Sequence, residues 1–507
     1  MNAYPSIRRG RRHRVALACV LAVVLAGCSI PAKLNRPPVR DDVPLAGLDV
    51  PTHAGWPEAQ WWRQYHDPQL DALIAQAMKD SPDIAQARSR VDSAQQSIRA
   101  TAAQAGLTVN GSGQFERQRL SETGLIPPKF LGFTWYNQAD LGVQAQYDLD
   151  LWGKKRAAIE AATDQAHAAE AQHSAAALTL QNMVADTYFG WLADEARIDI
   201  ARQAVRTQEQ LAHLAGLRVH QGVDLPDTAQ TANAQLAAAR ETLVTLEGSA
   251  KIRLAALASL LGVAPADLPP LQPRPLPAID RGLPDNVGVD LIARRPDIAA
   301  SRWQVESALR QTDVARAEFF PDISISAMAG LSSIDMDQFF HAGSRVFALT
   351  PAVHLPIFTG GLLKANYGVS KAQLDAAVAQ YNSTVLTAAR EVSTQSLTAQ
   401  QLAGRRHEQQ AEVSANERLL ASAQARARQG VRDLRESLGA QAQLLQQRDN
   451  AVSLHAQALS TDLALIKALG GGYQANAPDQ AATAPSPTDS PTDSPTNLAG
   501  DATHERH

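Results

Sequence analysis

The chain has 507 residues, a net charge of −4 at neutral pH and 45% hydrophobic residues, which is enough for two or three domains by length alone. The acidic balance argues against a nucleic-acid partner. Aromatic residues make up only 5% of the chain. With alanine and glutamine abundant, this composition favours long helices with narrow apolar seams over a large globular core.

Residues 1–27 have the features of a lipoprotein signal peptide. Five arginines between Arg8 and Arg14 precede an apolar run from Val15 to Leu25, which is too short to span a bilayer. The run leads into Leu-Ala-Gly-Cys, a sequence that resembles the bacterial lipobox. An ordinary signal peptide followed by a chance cysteine is the alternative interpretation.

The lipobox interpretation makes Cys28 the first mature residue. It predicts a covalent diacylglycerol and an N-acyl chain on Cys28, and Ser29 behind it permits sorting to the outer membrane. Two acyl signals anchor a protein stably where one does not. Because Cys19 leaves with the signal peptide, we expect no intrachain disulfide and no cysteine metal site in the mature chain.

Both ends of the mature chain are irregular in sequence. Residues 28–65 are Pro-rich and indicate an N-terminal lipidated tether. Its tryptophans, Trp56, Trp61 and Trp62, are interpreted as packing the tether onto the body rather than as binding a ligand. Residues 473–507 are rich in Pro, Ser and Thr, and their low complexity predicts disorder.

The chain between these ends is duplicated. A helix pattern followed by an alternating strand occurs twice, and the matching blocks keep their order along the chain. The clearest matches are Pro82–Asp83–Ile84 with Pro296–Asp297–Ile298, and Gln221–Gly222–Val223 with Gln429–Gly430–Val431. We therefore predict an internal two-fold repeat, with residues 66–264 and 291–472 separated by a Pro-rich linker at 265–290. A general likeness among Ala/Gln-rich helices is the alternative, but the strand blocks match too.

Each repeat contains two strand patterns, at about 107–115 and 139–151 in the first and 322–331 and 346–357 in the second. Each is apolar on one side, small or polar on the other, and long enough to cross a bilayer at a tilt. Four strands cannot close, because the smallest membrane barrels have eight. A membrane location therefore requires several chains to pool their strands. A soluble sheet with one buried face is the alternative.

Very long helical stretches follow each strand pair. Gly153 to about Arg218 contains no proline, and it turns at residues 221–224 before returning as far as Leu261. The second repeat does the same from Gly361, with its turn at 429–432. Ala, Leu and Val recur at spacings of three and four, as in coiled-coil seams.

Catalytic motifs are missing from the sequence. The 13 histidines are scattered, and there is no zinc-protease, nucleophile-elbow or phosphate-loop motif. Asp148 and Asp150, two apart in a predicted strand, are interpreted as solvating a lumen rather than as an acid–base pair. Arg294 and Arg295 are interpreted as a packed turn rather than an anion site. We therefore expect neither an enzyme nor a metal cofactor.

These features together resemble the outer membrane factor family of tripartite efflux systems, the TolC-like channels, in their lipoprotein branch. The resemblance covers about residues 55–472. It is carried by the lipobox at Cys28, YDLDLWGKKRAA from Tyr147, LPDNVGVDLIARRPDIAASRWQV from Leu283, and ARAEFFPDIS from Ala315. It implies a mainly α fold with a β-barrel part. Three chains would pool twelve transmembrane strands into one barrel, and their helices would form a coiled-coil tunnel.

The resemblance also implies a function. The chain is expected to be the outer membrane channel of an efflux system, anchored at Cys28 with its helices in the periplasm. Its partners would be a periplasmic adaptor protein and an inner-membrane pump of the RND type, and its cargo small toxic compounds or drugs. A periplasmic coiled-coil scaffold without a pore, and the duct of a protein secretion system, remain alternatives.

Site residues follow from the repeat and from the resemblance. The turns at Gly222–Val223 and Gly430–Val431 are predicted to dock the adaptor and pump, because they are the distal ends of both hairpins. Acidic side chains narrow the periplasmic mouth in the family, and Glu436 stands at one such position. Glu436 is therefore a gate candidate, and Arg432 in the same turn region is a second one. Gly439 stands where a second acidic residue is expected, so the family's pair of acidic residues is incomplete here and does not by itself account for closure.

Overall fold

The computed structural model describes residues 30–45, 55–123, 127–279, 283–284, 287–431 and 433–475. The signal peptide, Cys28, Arg432 and nearly all of the predicted C-terminal tail lie outside these residues. Within them, no helix combines the length and the apolar character needed to cross a bilayer.

Helices and strands alternate in the order that the repeat predicts. The helices are Pro68–Asp80 (α1), Pro82–Ala105 (α2), Pro128–Leu131 (α3), Lys154–His220 (α4), Pro226–Leu260 (α5), Val287–Arg294 (α6), Pro296–Ala317 (α7), Leu362–Arg428 (α8) and Leu434–Ala468 (α9). The strands are Thr108–Arg119 (β1), Trp135–Leu149 (β2), Asp322–Ser333 (β3) and Arg345–His354 (β4). Because α6 starts at Val287, the linker is shorter than the predicted 265–290.

Apart from the short helix α3, each helix and strand of the first repeat has a counterpart in the second. α4 and α8 each contain 67 residues, and the returning helices α5 and α9 each contain 35. At 1.5 Å per residue the longer pair extends roughly 100 Å. Both α2 and α7 begin with proline and carry an aspartate in the first turn. Proline is favoured there because the first amide of a helix has no intrahelical acceptor, and aspartate because it interacts with the positive end of the helix dipole. The predicted duplication is confirmed.

All four strands form one antiparallel sheet in the order β1-β2-β3-β4. The central pair, β2 and β3, joins the two repeats, with Val143 opposite Ala329. The predicted strand limits were wrong at several ends. β1 continues to Arg119 and β2 begins at Trp135, because alternation continues through charged and aromatic residues that resemble a loop in sequence. β4 ends at His354, three residues before the predicted limit at 357.

The core lies where the short helices pack against the middle of the long ones. One apolar cluster gathers side chains of α1, α4, α5 and α9, centred on Tyr188, Leu257 and Leu463. A second gathers α6, α7, α8 and the end of α9, and includes Ile298 and Tyr381. The two clusters hold both repeats together through α9.

The N-terminal tether is packed onto this core, as predicted. Trp61 is 2% exposed, and the guanidinium of Arg294 lies 4.6 Å from the ring centre of Trp56. Upstream, Val43 is buried and donates its amide to the carbonyl of Gly288. The Arg36 guanidinium lies 2.7 Å from the buried carboxylate of Glu306.

Arg295 forms the packed turn expected from sequence. Its side chain is 7% exposed and lies 2.6 Å from Asp297 and 2.8 Å from Glu391. A third hydrogen bond goes to the carbonyl of Ala468 at the end of α9. Its guanidinium is therefore buried between two carboxylates and a carbonyl, which is a packed turn and not an anion site.

Candidate functional site: a one-sided sheet and two hairpin tips

The sheet has two chemically distinct faces. Residues directly opposite in the ladder point to the same side, and the register aligns the odd-numbered residues of all four strands. That face is apolar along most of its length: Val109, Phe115, Leu141, Val143, Tyr147, Ile323, Ile325, Leu331, Phe347, Leu349 and Val353.

The apolar face is exposed in the single chain. Phe347, Leu349 and Val353 are 76%, 72% and 69% exposed. Soluble monomers do not leave a continuous surface of this kind open, whereas contacts with lipid or with a partner require one. The strands contain 10 to 15 residues, which is enough for a tilted crossing of a bilayer.

The opposite face is polar and acidic. No lysine or arginine of the strands lies on this face. It presents serines and glutamines together with four carboxylates, those of Glu116, Asp140, Asp148 and Asp322. A membrane strand with this alternation turns its polar side toward water. The sheet therefore separates lipid from an aqueous, negatively charged lumen.

Both edges of the sheet are open. Among the residues that the structure describes, β1 pairs only with β2, and β4 pairs only with β3. An open edge cannot persist in hydrocarbon, because its amides and carbonyls have no water to bond. A membrane-embedded sheet of this kind requires strands from elsewhere to complete it.

The two aspartates near the base of β2 do not form a pair. Asp148 lies in the strand, 3.5 Å from the Lys155 ammonium. Asp150 lies beyond the strand, and its carboxylate accepts the amides of Lys155 and Arg156 at 3.0 and 2.9 Å. The expectation that both face the same way in a strand is wrong, because Asp150 caps α4.

Both hairpins end in the same turn. Gly222 and Gly430 adopt φ of 70° and 71°, a left-handed conformation that glycine adopts without cost. The following amides, of Val223 and Val431, bond back to the last helical turn at 2.9 and 3.0 Å. The two valines are 57% and 66% exposed, so each tip presents an apolar side chain to its surroundings.

A cluster of charges joins the two tips. The Arg218 guanidinium donates to both oxygens of Asp224, at 2.7 and 3.0 Å. Arg435 of the other hairpin lies 3.2 Å from Asp224 and 2.8 Å from Asp433. Hydrogen bonding to Arg218 lowers the pKa of Asp224, so the cluster stays ionised at neutral pH.

Sequence reasoning found the turns but missed this cluster. Its signal was present, since oppositely charged residues flank both Gln-Gly-Val turns at Arg218, Asp224, Asp433 and Arg435. The gate candidate Glu436 lies beside the cluster, with its carboxylate 3.0 Å from Arg426. Gly439 lies one turn further along α9 in open space. The other candidate, Arg432, is outside the described residues.

An open antiparallel sheet with lipid-facing and water-facing sides, carried on helical hairpins of roughly 100 Å, defines the class: subunits of a membrane channel that continues as a helical conduit. The chain belongs to the outer membrane efflux protein family, whose profile matches residues 73–263 and 287–471. The two matched regions correspond to the two repeats. The predicted fold class, outer membrane location and efflux-channel function are thereby confirmed.

Related proteins match along nearly their whole length. The multidrug resistance outer membrane protein MdtP of Escherichia coli K12 is 32% identical over 480 residues, which cover 91% of this chain and 97% of MdtP. The outer membrane protein VceC of Vibrio cholerae has 32% identity and a TM-score of 0.74, over 83% of this chain and 100% of VceC. The open state of the Neisseria gonorrhoeae MtrE outer membrane channel has 26% identity and a TM-score of 0.74, over 88% and 98%.

Proposed function

We propose that three copies of this chain form a passive exit duct for small toxic compounds, including drugs. The observation that carries the proposal is the open sheet with its exposed apolar face. Three chains pool twelve strands, which exceeds the eight of the smallest barrels and removes every edge. The name of MdtP, a multidrug resistance protein, supports drugs as the cargo. The chain itself is proposed to carry out no catalysis.

The energy for export is proposed to come from partners. A periplasmic adaptor protein and an inner-membrane pump of the RND type would complete a tripartite system, since the sequence has no phosphate-binding loop. The docking points are Gly222, Val223, Gly430 and Val431. Their support is positional, because they lie at the helix ends remote from the sheet and present exposed valines there.

Closure of the periplasmic mouth is proposed to involve Glu436 and Arg432 near the second tip. The bond between Glu436 and Arg426 and the ion cluster linking the hairpins support this assignment. Because Gly439 contributes no side chain, the single carboxylate of Glu436 would narrow the mouth less than carboxylates at both positions would.

Lipid attachment at Cys28 is proposed to hold the N-terminus at the membrane. The carbonyl of Pro31, three residues after Cys28, accepts a hydrogen bond of 2.9 Å from Arg316. Arg316 lies in the last turn of α7, directly before β3. The acyl chains would therefore start close to the level where the strands begin.

Single-channel conductance of the purified protein in a planar bilayer, with its mass measured in parallel, tests the proposal. We expect a trimer with discrete conductance steps. A monomer, or a trimer that never conducts, would instead support a scaffold without a pore.

A further inference from the structure

Arginines interrupt the apolar face at one end of the sheet. Arg117 and Arg119 close β1, and Arg345 opens β4. Their odd positions place them on the same side as Phe115 and Phe347, the side that meets lipid. All three lie at the strand ends remote from the helices, which is the extracellular end.

The outward face of the strands carries no carboxylate to neutralise these cations. Every acidic residue of the four strands lies on the lumen face. Arg119 reaches Glu122 in the following loop, at 3.2 Å. Arg345 makes no ion pair with the residues that the structure describes. The outward face is therefore cationic at its extracellular end.

Arg117 is held in place by an aromatic ring. Its guanidinium carbon lies 5.6 Å from the ring centre of Trp135, which is 55% exposed on the same face. Tryptophan is typical of the interface between hydrocarbon and headgroups. The pair thus presents the guanidinium at headgroup depth, with its outer nitrogens available to an acceptor.

Closure of the barrel brings the arginines together. β1 and β4 are the two edges, so in the trimer β4 of one protomer becomes the neighbour of β1 of the next, about 4.8 Å away. Arg345 then adjoins Arg117 and Arg119 across the seam. Neither protomer holds this group of cations alone, and a trimer has three such seams.

We propose that each seam binds a phosphorylated glycolipid of the outer leaflet, with its phosphate held by Arg117 and Arg345 of adjacent protomers. Guanidinium groups match phosphate oxygens in geometry and charge. The acyl chains of the lipid cover the apolar face below. The site rests on the proposed trimer, and its occupant ties one protomer to the next.

Lipid retention by the detergent-purified, delipidated trimer tests this inference. Diphosphorylated lipid A is added, and bound lipid is counted by native mass spectrometry. We expect about three lipids per trimer, binding about tenfold or more weaker in the Arg117→Gln/Arg345→Gln double variant, and no change in Arg405→Gln, an exposed arginine of α8. A parallel titration with phosphatidylglycerol should show weak binding that the double variant does not alter.

Trimer mass and conductance are recorded on the same samples. A conducting trimer whose lipid A retention survives the double substitution would overturn the lipid site while leaving the duct intact. Equal, arginine-dependent retention of phosphatidylglycerol would overturn the glycolipid assignment. Absence of a trimer from the wild-type sample would instead contradict the proposed function.

Discussion

Asp164 lies in surroundings that disfavour the ionised form of its carboxyl group. It is half-buried on α4, facing Glu306 and Arg310 of α7 and flanked on its own helix by Glu160 and His167. Burial raises its pKa to about 6, Arg310 offsets part of that effect, and Glu306 adds to it. Because the unfolded value is 3.8, the ionised carboxylate disfavours the folded state above pH 6, and this cost declines as the pH falls toward 4.

Replacing Asp164 with Asn should therefore stabilise the protein at neutral pH. We expect a higher thermal midpoint for Asp164→Asn than for wild type at pH 7.5, with the difference shrinking at pH 4.5. Thermal unfolding followed by circular dichroism measures both. Asp92→Asn, on an exposed position of α2, is the matched control. An advantage for Asp164→Asn that is independent of pH would contradict the explanation.

Glu436 tests the gate. Glu436→Ala removes the ion pair with Arg426, which is 3.0 Å long, and should raise the leak conductance of the closed channel in planar bilayers. Glu412→Ala changes an exposed carboxylate of α8 away from the tip, and should leave the leak unchanged. Identical leak in both variants would remove Glu436 from the gate.

At the scale of elements, glycines set where the chain turns and where strands approach. A Cβ at Gly330 in β3 would lie 2.5 Å from the carbonyl oxygen of Leu141 and 2.8 Å from the Cα of Gly142. These are backbone atoms, so they cannot rotate away. The backbones of the central pair of strands therefore approach each other closely at this point, on the lumen face.

Gly330→Ala should weaken that strand pair. We expect a lower yield of folded trimer and a lower temperature of dissociation on semi-native gels. Gly111→Ala in β1 meets nothing within 4 Å and should behave like wild type. If both alanine variants give the same yield and the same dissociation temperature, the close approach at Gly330 does not limit the stability of the sheet.

The tip turn gives a second test at this scale. Gly430→Val forces a β-branched residue into φ of 71°, a strained conformation, and should abolish drug resistance in cells without abolishing the trimer. Gly404→Val, placed in open space within α8, keeps the tip intact and should preserve resistance. Unchanged resistance in Gly430→Val would argue against docking at this turn.

The sequence was most informative about elements with a strong period. Alternation from Ile323 to Leu331 and the Gln-Gly-Val turns were sufficient to predict the strands, the hairpins and the repeat. It was weakest where one residue type serves several roles. Asp150 continues the alternation of β2 in sequence yet caps a helix, and Arg119 resembles a loop residue yet ends a strand. The tip cluster was missed because Asp224 and Arg435 are 211 residues apart.

At the scale of the whole molecule, the difference between the two faces of the sheet determines where a charged residue can be introduced. Leu349 and Thr350 are neighbours in β4, but Leu349 points to the lipid side and Thr350 to the lumen side. A lysine near the middle of a lipid-facing strand costs about 2–4 kcal/mol, and a trimer would carry three of them. A lysine on the lumen side remains in water.

Leu349→Lys should therefore lower insertion of the barrel, whereas Thr350→Lys should insert normally and shift ion selectivity toward anions. Heat-resistant trimer in outer membrane fractions measures the first effect. Reversal potential in a salt gradient measures the second. Equal insertion of both variants would contradict the assignment of the two faces.

The equal lengths of the paired helices have a further consequence for how such a chain can evolve. The two outgoing helices contain 67 residues each and the two returning helices 35 each. An insertion or deletion in one hairpin would move its end relative to the other by about 1.5 Å per residue. The charges that bridge the ends would separate after a single lost turn. The two repeats can therefore diverge in amino-acid sequence but not in helix length. A change in the length of one hairpin requires the same change in the other.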